Sequence, residues 1–269
     1  MVRLALKVGY IGSAYHGFQI QPDLPTVEGK LCEGLESSGV ISDRRASRFI
    51  SAGRTDRGVH AFGQVVAFDT DNYRLAVPRI INTFLPEDIW VWARSEVDSS
   101  FDPRRDALSR EYRYILYAGS LEIERMKEAS KILIGRHDFA SFSKRGDELT
   151  TIRDVHKIDL KMQNDLIIFD ISADAFLWQM VRRIVAALAL VGSGEKDSDW
   201  LEGLLNSKTS TIAPAPAYGL ILRGVSYRDL KFEVDRYVCD RMVSALSERF
   251  EHYAVLKGVM DGMRNNKLI

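Results

Sequence analysis

The chain has 269 residues, of which 46% are hydrophobic and 28% are charged, and its 37 basic residues balance its 37 acidic ones. This composition is typical of a folded protein of one large or two medium domains and excludes a disordered chain. It also excludes binding to nucleic acid through bulk positive charge, although local basic patches remain open.

The cysteines and apolar stretches indicate the compartment. Cys32 and Cys239 lie far apart with no CxxC spacing, so neither a disulfide framework nor a zinc site is predicted. The alternating N-terminus does not resemble a signal peptide. The most apolar stretch, residues 176–192, contains Arg182 and Arg183 and is too short to span a bilayer. We therefore predict a soluble, cytoplasmic protein without a membrane partner.

The first half of the chain predicts the element order βαββαβ. Residues 2–10 alternate between apolar and polar, which predicts a strand with one buried face. Thr26 is placed to cap a helix that ends near Gly39. The other predicted elements are strands at 47–53 and 62–69 around a glycine-rich loop, a short helix at 77–85 and a strand at 89–97.

The second half repeats this order without repeating the sequence. The pair Asn164-Asp165 is a favourable turn and predicts a hairpin between strands at 154–162 and 166–172. The other predicted elements are a strand at 111–117, helices at 121–134, 175–190 and 199–205, and a strand at 219–227. We predict an α+β fold in which two tandem ferredoxin-like (split βαβ) units, 1–105 and 106–228, form one extended, mostly antiparallel sheet with helices on one face.

Residues 229–269 are predicted to form a helical C-terminal extension. Val238, Met242, Ala245 and Leu246 have helical spacing, and the final RNNKLI is typical of a frayed end. Three roles stay open for this extension: packing on the sheet, extending a dimer interface, or contacting RNA.

The loop GRTDRGVH, residues 53–60, holds one carboxylate among cations. Asp56 lies between Arg54 and Arg57, and a neighbouring guanidinium favours the ionised form of a carboxylate. An ionised aspartate is a poor general acid but a usable nucleophile or electrostatic stabiliser. The alternative is that Arg54 and Asp56 pair across a surface turn, and the loop alone does not decide between the two.

Further arginines and aromatic residues bear on whether Asp56 is a functional carboxylate or part of a surface pair. Arginines cluster in the N-terminal half with aromatic residues among them, as in proteins that bind unpaired bases. The sequence leaves open whether the Tyr112 ring stacks on a base or lies in the core. In FLWQMVRRIV, one of Arg182 and Arg183 is expected to face a cleft and to need a carboxylate, for which Asp56 is a candidate. The alternative there is a snorkelling surface pair.

No cofactor and no metal is predicted. The five histidines do not have metal-ligand spacing, no phosphate-binding GxxxxGK[ST] occurs, and no GxGxxG follows a strand. Any chemistry must therefore use aspartate, arginine and tyrosine side chains.

Several segments, in the same order, resemble the tRNA pseudouridine synthase A family. GRTDRGVHA at 53–61 is similar to the GRTDAGVHA signature of that family. The other matching segments are GYIGSAYHGFQIQ (9–21) followed by TVEG, FDPRRDALSREYRYIL (101–116), HDFASF (137–142), FLWQMVRRIV (176–185) and APAPAYGLILRGVSY (213–227). The resemblance spans residues 1–228.

The resemblance implies an enzyme that isomerises uridine to pseudouridine in tRNA, on the 3′ side of the anticodon stem-loop around positions 38–40. Asp56 would be the nucleophile, Tyr112 would stack on the flipped base and help to remove the proton from C5, and Arg182 would pair with Asp56. Arg54 would fill the place of the displaced base or bind a phosphate. The other substrate-binding residues implied are Arg57, His60 and Leu222. Family members are homodimers in which a tRNA contacts both subunits, so a homodimer is implied here.

Three alternatives stay open beside this interpretation. The first concerns the route of the reaction: the carboxylate attacks either C1′ of the ribose or C6 of the uracil, and both routes need an ionised Asp56. A pseudouridine synthase acting on another RNA or tRNA position is the second. The third is a non-catalytic tandem RNA-recognition protein, because AFGQVVAF at 61–68 echoes the third strand of such modules. Four residues depart from the common family pattern and bear on substrate choice: Ile11, Phe18, Arg57 and Arg183.

Overall fold

The computed structural model describes residues 1–144, 150–206 and 212–265, and within them an α+β fold is built on one large sheet. The strands are β1 (Val2–Tyr10), β2 (Ile50–Ser51), β3 (His60–Thr70), β4 (Ile89–Val97), β5 (Ala107–Tyr117), β6 (Gly135–Asp138), β7 (Ile152–Gln163), β8 (Leu166–Ala173), β9 (Leu220–Tyr227) and β10 (Glu233–Val234). The helices are α1 (Val27–Ser37), α2 (Pro78–Asn82), α3 (Ile123–Ser130), α4 (Met180–Gly192), α5 (Ser198–Asn206) and α6 (Arg236–Arg264).

The strands lie in the order β10-β4-β1-β3-β9-β5-β8-β7-β6, and β2 pairs with β3 outside this path. Within the described residues, every strand pair is antiparallel except that of β3 with β9. The predicted class, an α+β protein with one extended and mostly antiparallel sheet, is therefore confirmed.

Two strong local signals form as predicted. Thr26 precedes α1, and its hydroxyl accepts a hydrogen bond from the Gly29 amide at 3.2 Å. Asn164 has a left-handed φ of 52° in the turn between β7 and β8, a conformation that asparagine tolerates better than most residues. Both features depend on a few adjacent residues, so the sequence suffices to predict them.

Other predicted elements were wrong in their bounds. The strand predicted at 47–53 shortens to β2, since Arg48 has a left-handed φ of 46°. The helix predicted at 175–190 begins only at Met180, because Gln179 has a φ of 65°, outside the helical range. Strands β6 and β10 were not predicted, since four and two residues carry too little pattern to be recognised.

β1 is buried on both faces, so the prediction of a single buried face was wrong. On one face Leu6 packs in the core beneath α1. On the other face the Lys7 ammonium lies 5.1 Å from the ring centroid of Trp92 and 5.0 Å from that of Phe232. Trp92 packs in turn against Val238 at the start of α6. The C-terminal extension thus packs on the sheet and covers the second face of its N-terminal half.

α6 extends well beyond the surface on which it packs. It has 29 residues, which gives a length of about 43 Å, but Val238 and Met242 are its buried residues within the part of the chain described. The same side of the helix continues as Tyr253, Met260 and Met263, which are 61–66% exposed. Neither α6 nor any other helix in the described ranges is long and apolar enough to cross a membrane. The predicted frayed end lies outside the described residues from position 266 onward.

The two halves of the sheet meet where the start of β3 runs parallel to the start of β9, a contact we call the seam. Ala61 pairs there with Leu222. A Cβ on Gly63 would lie 2.4 Å from the carbonyl oxygen of Arg223, so only glycine lets the two strands approach this closely. The loop that precedes β3 is therefore held at the centre of the sheet.

The main hydrophobic cores follow the two halves but interlock at the seam. Val225 of β9 belongs to the N-terminal core, whereas Val59, just before β3, belongs to the C-terminal core. The division into units at residues 105 and 228 stays a prediction. Each half contributes side chains to the core of the other, so the halves support each other.

Candidate active site

Asp56 lies in the loop between β2 and β3 and faces the C-terminal half across the seam. Its Oδ2 accepts a 2.7 Å hydrogen bond from Arg182 Nη1, and the two side chains are 23% and 12% exposed. Its Oδ1 accepts a 2.8 Å hydrogen bond from Trp178 Nε1. The predicted pairing with Arg182 is present, and a surface pair between Arg54 and Asp56 is absent from the described residues.

Arg182 is fixed by the segment that leads into β9. Its Nε donates to the carbonyl oxygen of Ala215 at 2.7 Å, and the Ala215 amide donates to the Arg182 carbonyl at 3.0 Å. The guanidinium cannot turn toward water without losing its bonds to Ala215 and Asp56. Its charge is therefore held beside the Asp56 carboxylate.

The loop after β1 holds the Asp56 loop from behind. The Phe18 amide donates to the Thr55 carbonyl at 3.0 Å, and the hydroxyls of Tyr10 and Thr55 share a 2.8 Å hydrogen bond. Gly17 has a φ of 100°, and a Cβ there would lie 2.9 Å from the same Thr55 carbonyl oxygen. A larger residue at this position would separate the two loops. The segment 9–21 thus supports the residue next to Asp56.

Tyr112 lies on β5, half-buried, near the Asp56 carboxylate. Its ring meets that of Phe176 edge to face, with 5.1 Å between centroids. Burial raises the pKa of the Tyr112 hydroxyl to about 12, with Arg110 acting in the opposite direction and Asp56 adding to the rise. The hydroxyl is therefore protonated at neutral pH, where the ring can stack and the O–H can donate a hydrogen bond.

Arg54 and Arg57 are exposed on either side of Asp56. Neither forms an ion pair or a side-chain hydrogen bond within the ranges that the structure describes. Guanidinium groups bind phosphate oxygens through paired N–H donors. The two side chains are thus available to a phosphate backbone that approaches Asp56.

His60 and Leu222 lie in the seam rather than at the surface of the site. The Gly12 amide donates to His60 Nδ1 at 3.1 Å, so Nε2 carries the proton and donates to the Tyr218 carbonyl at 3.2 Å. Burial lowers the pKa of His60, with the hydrogen bond to Tyr218 opposing it. Leu222 is 2% exposed. Substrate contact through these two residues stays a prediction.

Trp178 is the residue at the site that sequence reasoning did not single out. Its 2.8 Å hydrogen bond to Asp56 joins residues 122 positions apart, which no local pattern reveals. The four-residue spacing between Trp178 and Arg182 does not reveal it either, because the helix begins only at Met180 and Trp178 lies outside it.

Arg183 does not join the site. It is 8% exposed, and its guanidinium donates to the Ile212 carbonyl at 2.6 Å and to Gln179 Oε1 at 3.0 Å. Burial lowers its pKa, and the neighbouring charge of Arg182 adds to this. As expected, one of the two arginines, Arg182, has a carboxylate partner in Asp56. The snorkelling surface pair was the wrong alternative.

The assembled groups suit attack on an electron-poor carbon. A carboxylate is held by one cation and one neutral donor, beside an aromatic ring and two exposed guanidinium groups. A carboxylate so placed can stabilise or capture a cationic centre. Across the residues described, no group of three or more His, Cys, Asp and Glu side chains is arranged to hold a metal ion.

Comparison with known proteins finds relatives along nearly the whole chain. A family model described as tRNA pseudouridine synthase matches residues 129–228. The tRNA pseudouridine synthase A of Methanosarcina mazei is 46% identical over 263 residues, which cover 97% of this chain and 98% of the relative. The enzyme of the same name from Methanococcoides burtonii is 47% identical, covering 96% of this chain and 95% of its own. That of Archaeoglobus fulgidus is 40% identical and covers 95% of each chain.

Proposed function

Because the chain belongs to the tRNA pseudouridine synthase A family, and is therefore an isomerase that converts uridine to pseudouridine in tRNA, we propose that Asp56 is the nucleophile of this reaction. The observation that carries the proposal is the 2.7 Å pairing of Asp56 with Arg182 across the seam. A nucleophilic carboxylate must be ionised, and an adjacent guanidinium favours that form. The interpretation as a non-catalytic RNA-recognition protein is wrong, since the family is enzymatic.

The reaction exchanges one bond of the uracil ring for another. The C1′–N1 bond breaks, and its electron pair stays on N1. Asp56 assists either by capturing C1′ or by adding to C6, and both routes need the same ionised carboxylate. The ring turns, C5 bonds to C1′, the proton on C5 is removed and N1 takes up a proton. Substrate and product therefore have the same composition.

Tyr112 is assigned to the flipped base. Taking a uridine out of its stack costs a few kcal/mol, and stacking on an aromatic ring returns about 1–3 kcal/mol. Because the hydroxyl has a pKa of about 12, it is protonated when the base arrives. It can help the late removal of the C5 proton only after its own proton has passed to another acceptor.

Arg54 and Arg57 are assigned to the tRNA backbone and to the space left by the displaced base. Both are exposed beside Asp56 and lack protein partners within the described part of the chain. The target uridines are those on the 3′ side of the anticodon stem-loop, around positions 38–40, in keeping with the resemblance of the Asp56 loop. Arg57, which departs from the common family residue, bears on which of them is chosen.

The enzyme acts in the cytoplasm as a homodimer in this proposal, and the second half of α6 supports the dimer. Tyr253, Met260 and Met263 form an exposed apolar stripe that continues the buried side of this helix. A contiguous apolar stripe of this kind is typical of an interaction surface, and a second copy of the chain can cover it through a twofold interface. Light scattering should give a dimer mass for the wild type and a monomer mass for Met260→Lys; a monomeric wild type would exclude the dimer.

The first test of the catalytic proposal is tritium release from an unmodified tRNA transcript labelled at C5 of uridine. Wild-type enzyme should release tritium, whereas Asp56→Ala should not, and the tRNA affinity of the variant should stay within a few-fold. Release by Asp56→Ala at the wild-type rate would refute the assignment.

A second set of transcripts locates the target. Replacing the uridines at positions 38, 39 and 40 one at a time should lower release wherever a true target is lost, and replacing all three together should abolish it. Release that survives all three replacements, or that occurs only with another unmodified RNA, would favour the alternative of a different target position.

A further inference from the structure

Trp178 contacts the proposed nucleophile but has no assigned role. Its indole N–H donates to Asp56 Oδ1 at 2.8 Å, the oxygen that Arg182 leaves free. The side chain is 43% exposed, so burial in a core does not account for its position. A tryptophan usually directs its N–H to a partner when it is buried, whereas this exposed indole donates to a carboxylate that is itself 23% exposed.

A single ion pair does not fix the orientation of a carboxylate. The last torsion of an aspartate side chain is broad, so a carboxylate bound at one oxygen can still rotate. A second donor on the other oxygen fixes the plane of the group. Attack on carbon needs this alignment, with the reacting atoms about 3–3.5 Å apart. Loss of the second donor should therefore slow the chemistry without weakening substrate binding.

The backbone next to Trp178 is held in a strained conformation that directs the side chain. Gln179 has a φ of 65°, which is costly for a residue other than glycine. The Arg183 side chain supports this conformation, since its Nη2 donates to Gln179 Oε1 at 3.0 Å. The departure from the family pattern at Arg183 thus has a structural function.

Lys144 holds the indole ring itself. Its amide donates to the Trp178 carbonyl at 3.0 Å, and its ammonium lies 4.1 Å from the centroid of the ring. A cation over one face of an indole is attracted to it and favours one tilt of the ring. Turning the N–H away from Asp56 would break this contact.

The geometry points to Trp178 as a positioning residue that fixes the plane of the Asp56 carboxylate for attack through its indole N–H. Lys144 holds the ring, and Arg183 holds the backbone through Gln179. The inference rests on the proposed function, in which Asp56 is the nucleophile. Its signature is a lower rate at saturating tRNA with unchanged tRNA affinity.

The test compares two substitutions that differ in their ring N–H. Trp178→Phe removes the N–H and keeps a ring beneath Lys144, and single-turnover pseudouridine formation at saturating tRNA should fall about 10- to 100-fold. Its Kd for the tRNA transcript should stay within about twofold of wild type, because the exposed aromatic surface is kept. Trp178→His restores a ring N–H and should recover part of the lost rate.

Trp200→Phe is the matched control. Trp200 also has a lysine, Lys196, 5.6 Å from its ring centroid, but it lies on α5 and does not contact Asp56. This variant should turn over at the wild-type rate. Thermal unfolding of all variants separates a loss of folding from a loss of rate.

Asp56→Ala in the same assay distinguishes a failure of the positioning role from a failure of the proposed function. If it is inactive while Trp178→Phe is as fast as wild type, the positioning role is refuted and the nucleophile stands. If Asp56→Ala is active, the proposed function fails and the inference fails with it. Weaker tRNA binding by Trp178→Phe with an unchanged rate at saturating tRNA would make Trp178 a substrate contact instead. Equal rates for the Phe and His variants would exclude loss of the N–H as the cause of the lower rate.

Discussion

The two halves of the molecule contribute to the site in different ways. The N-terminal half supplies a single group proposed to react, Asp56, on a loop supported from behind by the segment after β1. The C-terminal half supplies the groups that surround it, Arg182, Trp178 and Tyr112. Neither half contains the site alone. The environment of the carboxylate is therefore set at the seam and not by the motif that carries it.

The arginine that pairs with Asp56 shows this difference between the two halves most clearly. Arg54 and Arg57 are the nearest cations in sequence, yet Asp56 pairs with Arg182, 126 residues away. A fully exposed pair is worth about 0–1 kcal/mol, so pairing with a neighbour in the loop would hold the carboxylate weakly. The partly buried Arg182 holds it more firmly and leaves the loop arginines available to the substrate.

Removing the cation from the C-terminal half should have the largest effect. Arg182→Met should lower the rate of pseudouridine formation by about 10²–10³-fold, the usual loss when one preorganised electrostatic contact is removed. The free energy of unfolding should fall by only about 1–2 kcal/mol, because the pair is partly solvated. Tritium release and urea unfolding measure the two quantities.

Arg183→Met is the control for this prediction. Arg183 is buried and reaches Asp56 only indirectly, through Gln179 and Trp178, so its loss should cost more stability than Arg182→Met and a smaller part of the rate. Equal losses of rate in the two variants would mean that Arg182 acts as a structural residue.

A smaller loss is expected from the hydroxyl of Tyr112. Tyr112→Phe keeps the stacking ring, so tRNA affinity should be unchanged, while the rate should fall about 10- to 100-fold through loss of the proton-carrying group. Since burial raises the pKa of this hydroxyl to about 12, it does not titrate in the usual assay range. The pH–rate profiles of wild type and variant between about pH 6 and 9 should be parallel. An alkaline limb seen only in the wild type would show that the phenol titrates in this pH range, which would contradict its raised pKa.

The seam itself can be tested without touching the site. Gly63→Ala places a Cβ 2.4 Å from a backbone oxygen of β9 and should lower the free energy of unfolding by about 1–3 kcal/mol. Gly203→Ala is the control, since no atom of the described residues lies within 4 Å of a Cβ built at this position on α5, and it should stabilise the chain by about 0.5–1 kcal/mol. Similar stabilities for the two variants would contradict the close approach of β3 and β9.

The smallest effect concerns His60, whose pKa is lowered in the folded chain by burial. The unfolded chain therefore binds the proton more readily, so the contribution of His60 is complete above about pH 6.5 and is lost as the pH falls toward its folded pKa. His60→Gln can keep both hydrogen bonds and does not titrate. Urea unfolding should show wild type losing stability relative to this variant as the pH falls below about 6.5. A pH-independent difference would show that His60 has the same pKa in the folded and the unfolded chain.

The regular elements were predictable because their signals are local. The Thr26 cap, the Asn164-Asp165 turn and the bounds of β4 all follow from neighbouring residues. The start of α4 was not predictable, since Gln179 takes a conformation that its side chain does not favour. Contacts with surrounding residues stabilise this conformation: Arg183 donates to the Gln179 side chain, and the adjacent Trp178 donates to Asp56.

The site was predictable only in part, because some of its contacts join residues that lie far apart in the sequence. The loop sequence indicates an ionised carboxylate, and the pair of arginines indicates one cation that faces a cleft. Which donor reaches the second carboxylate oxygen depends on contacts across the seam. The burial of both faces of β1 likewise depends on α6, whose sequence lies more than 225 residues away.

The order of the site residues along the chain also has a consequence for how the protein is made. The contacts that assemble the site join residues 126 and 158 positions apart. At about 5–20 residues per second, the ribosome needs on the order of ten seconds or more between making Asp56 and making the last strand of the seam. During that interval the nascent chain carries the carboxylate without its partners. The protein therefore acquires this chemistry only after the last strand of the seam has been made, and we expect a fragment released before that point to be inactive toward tRNA.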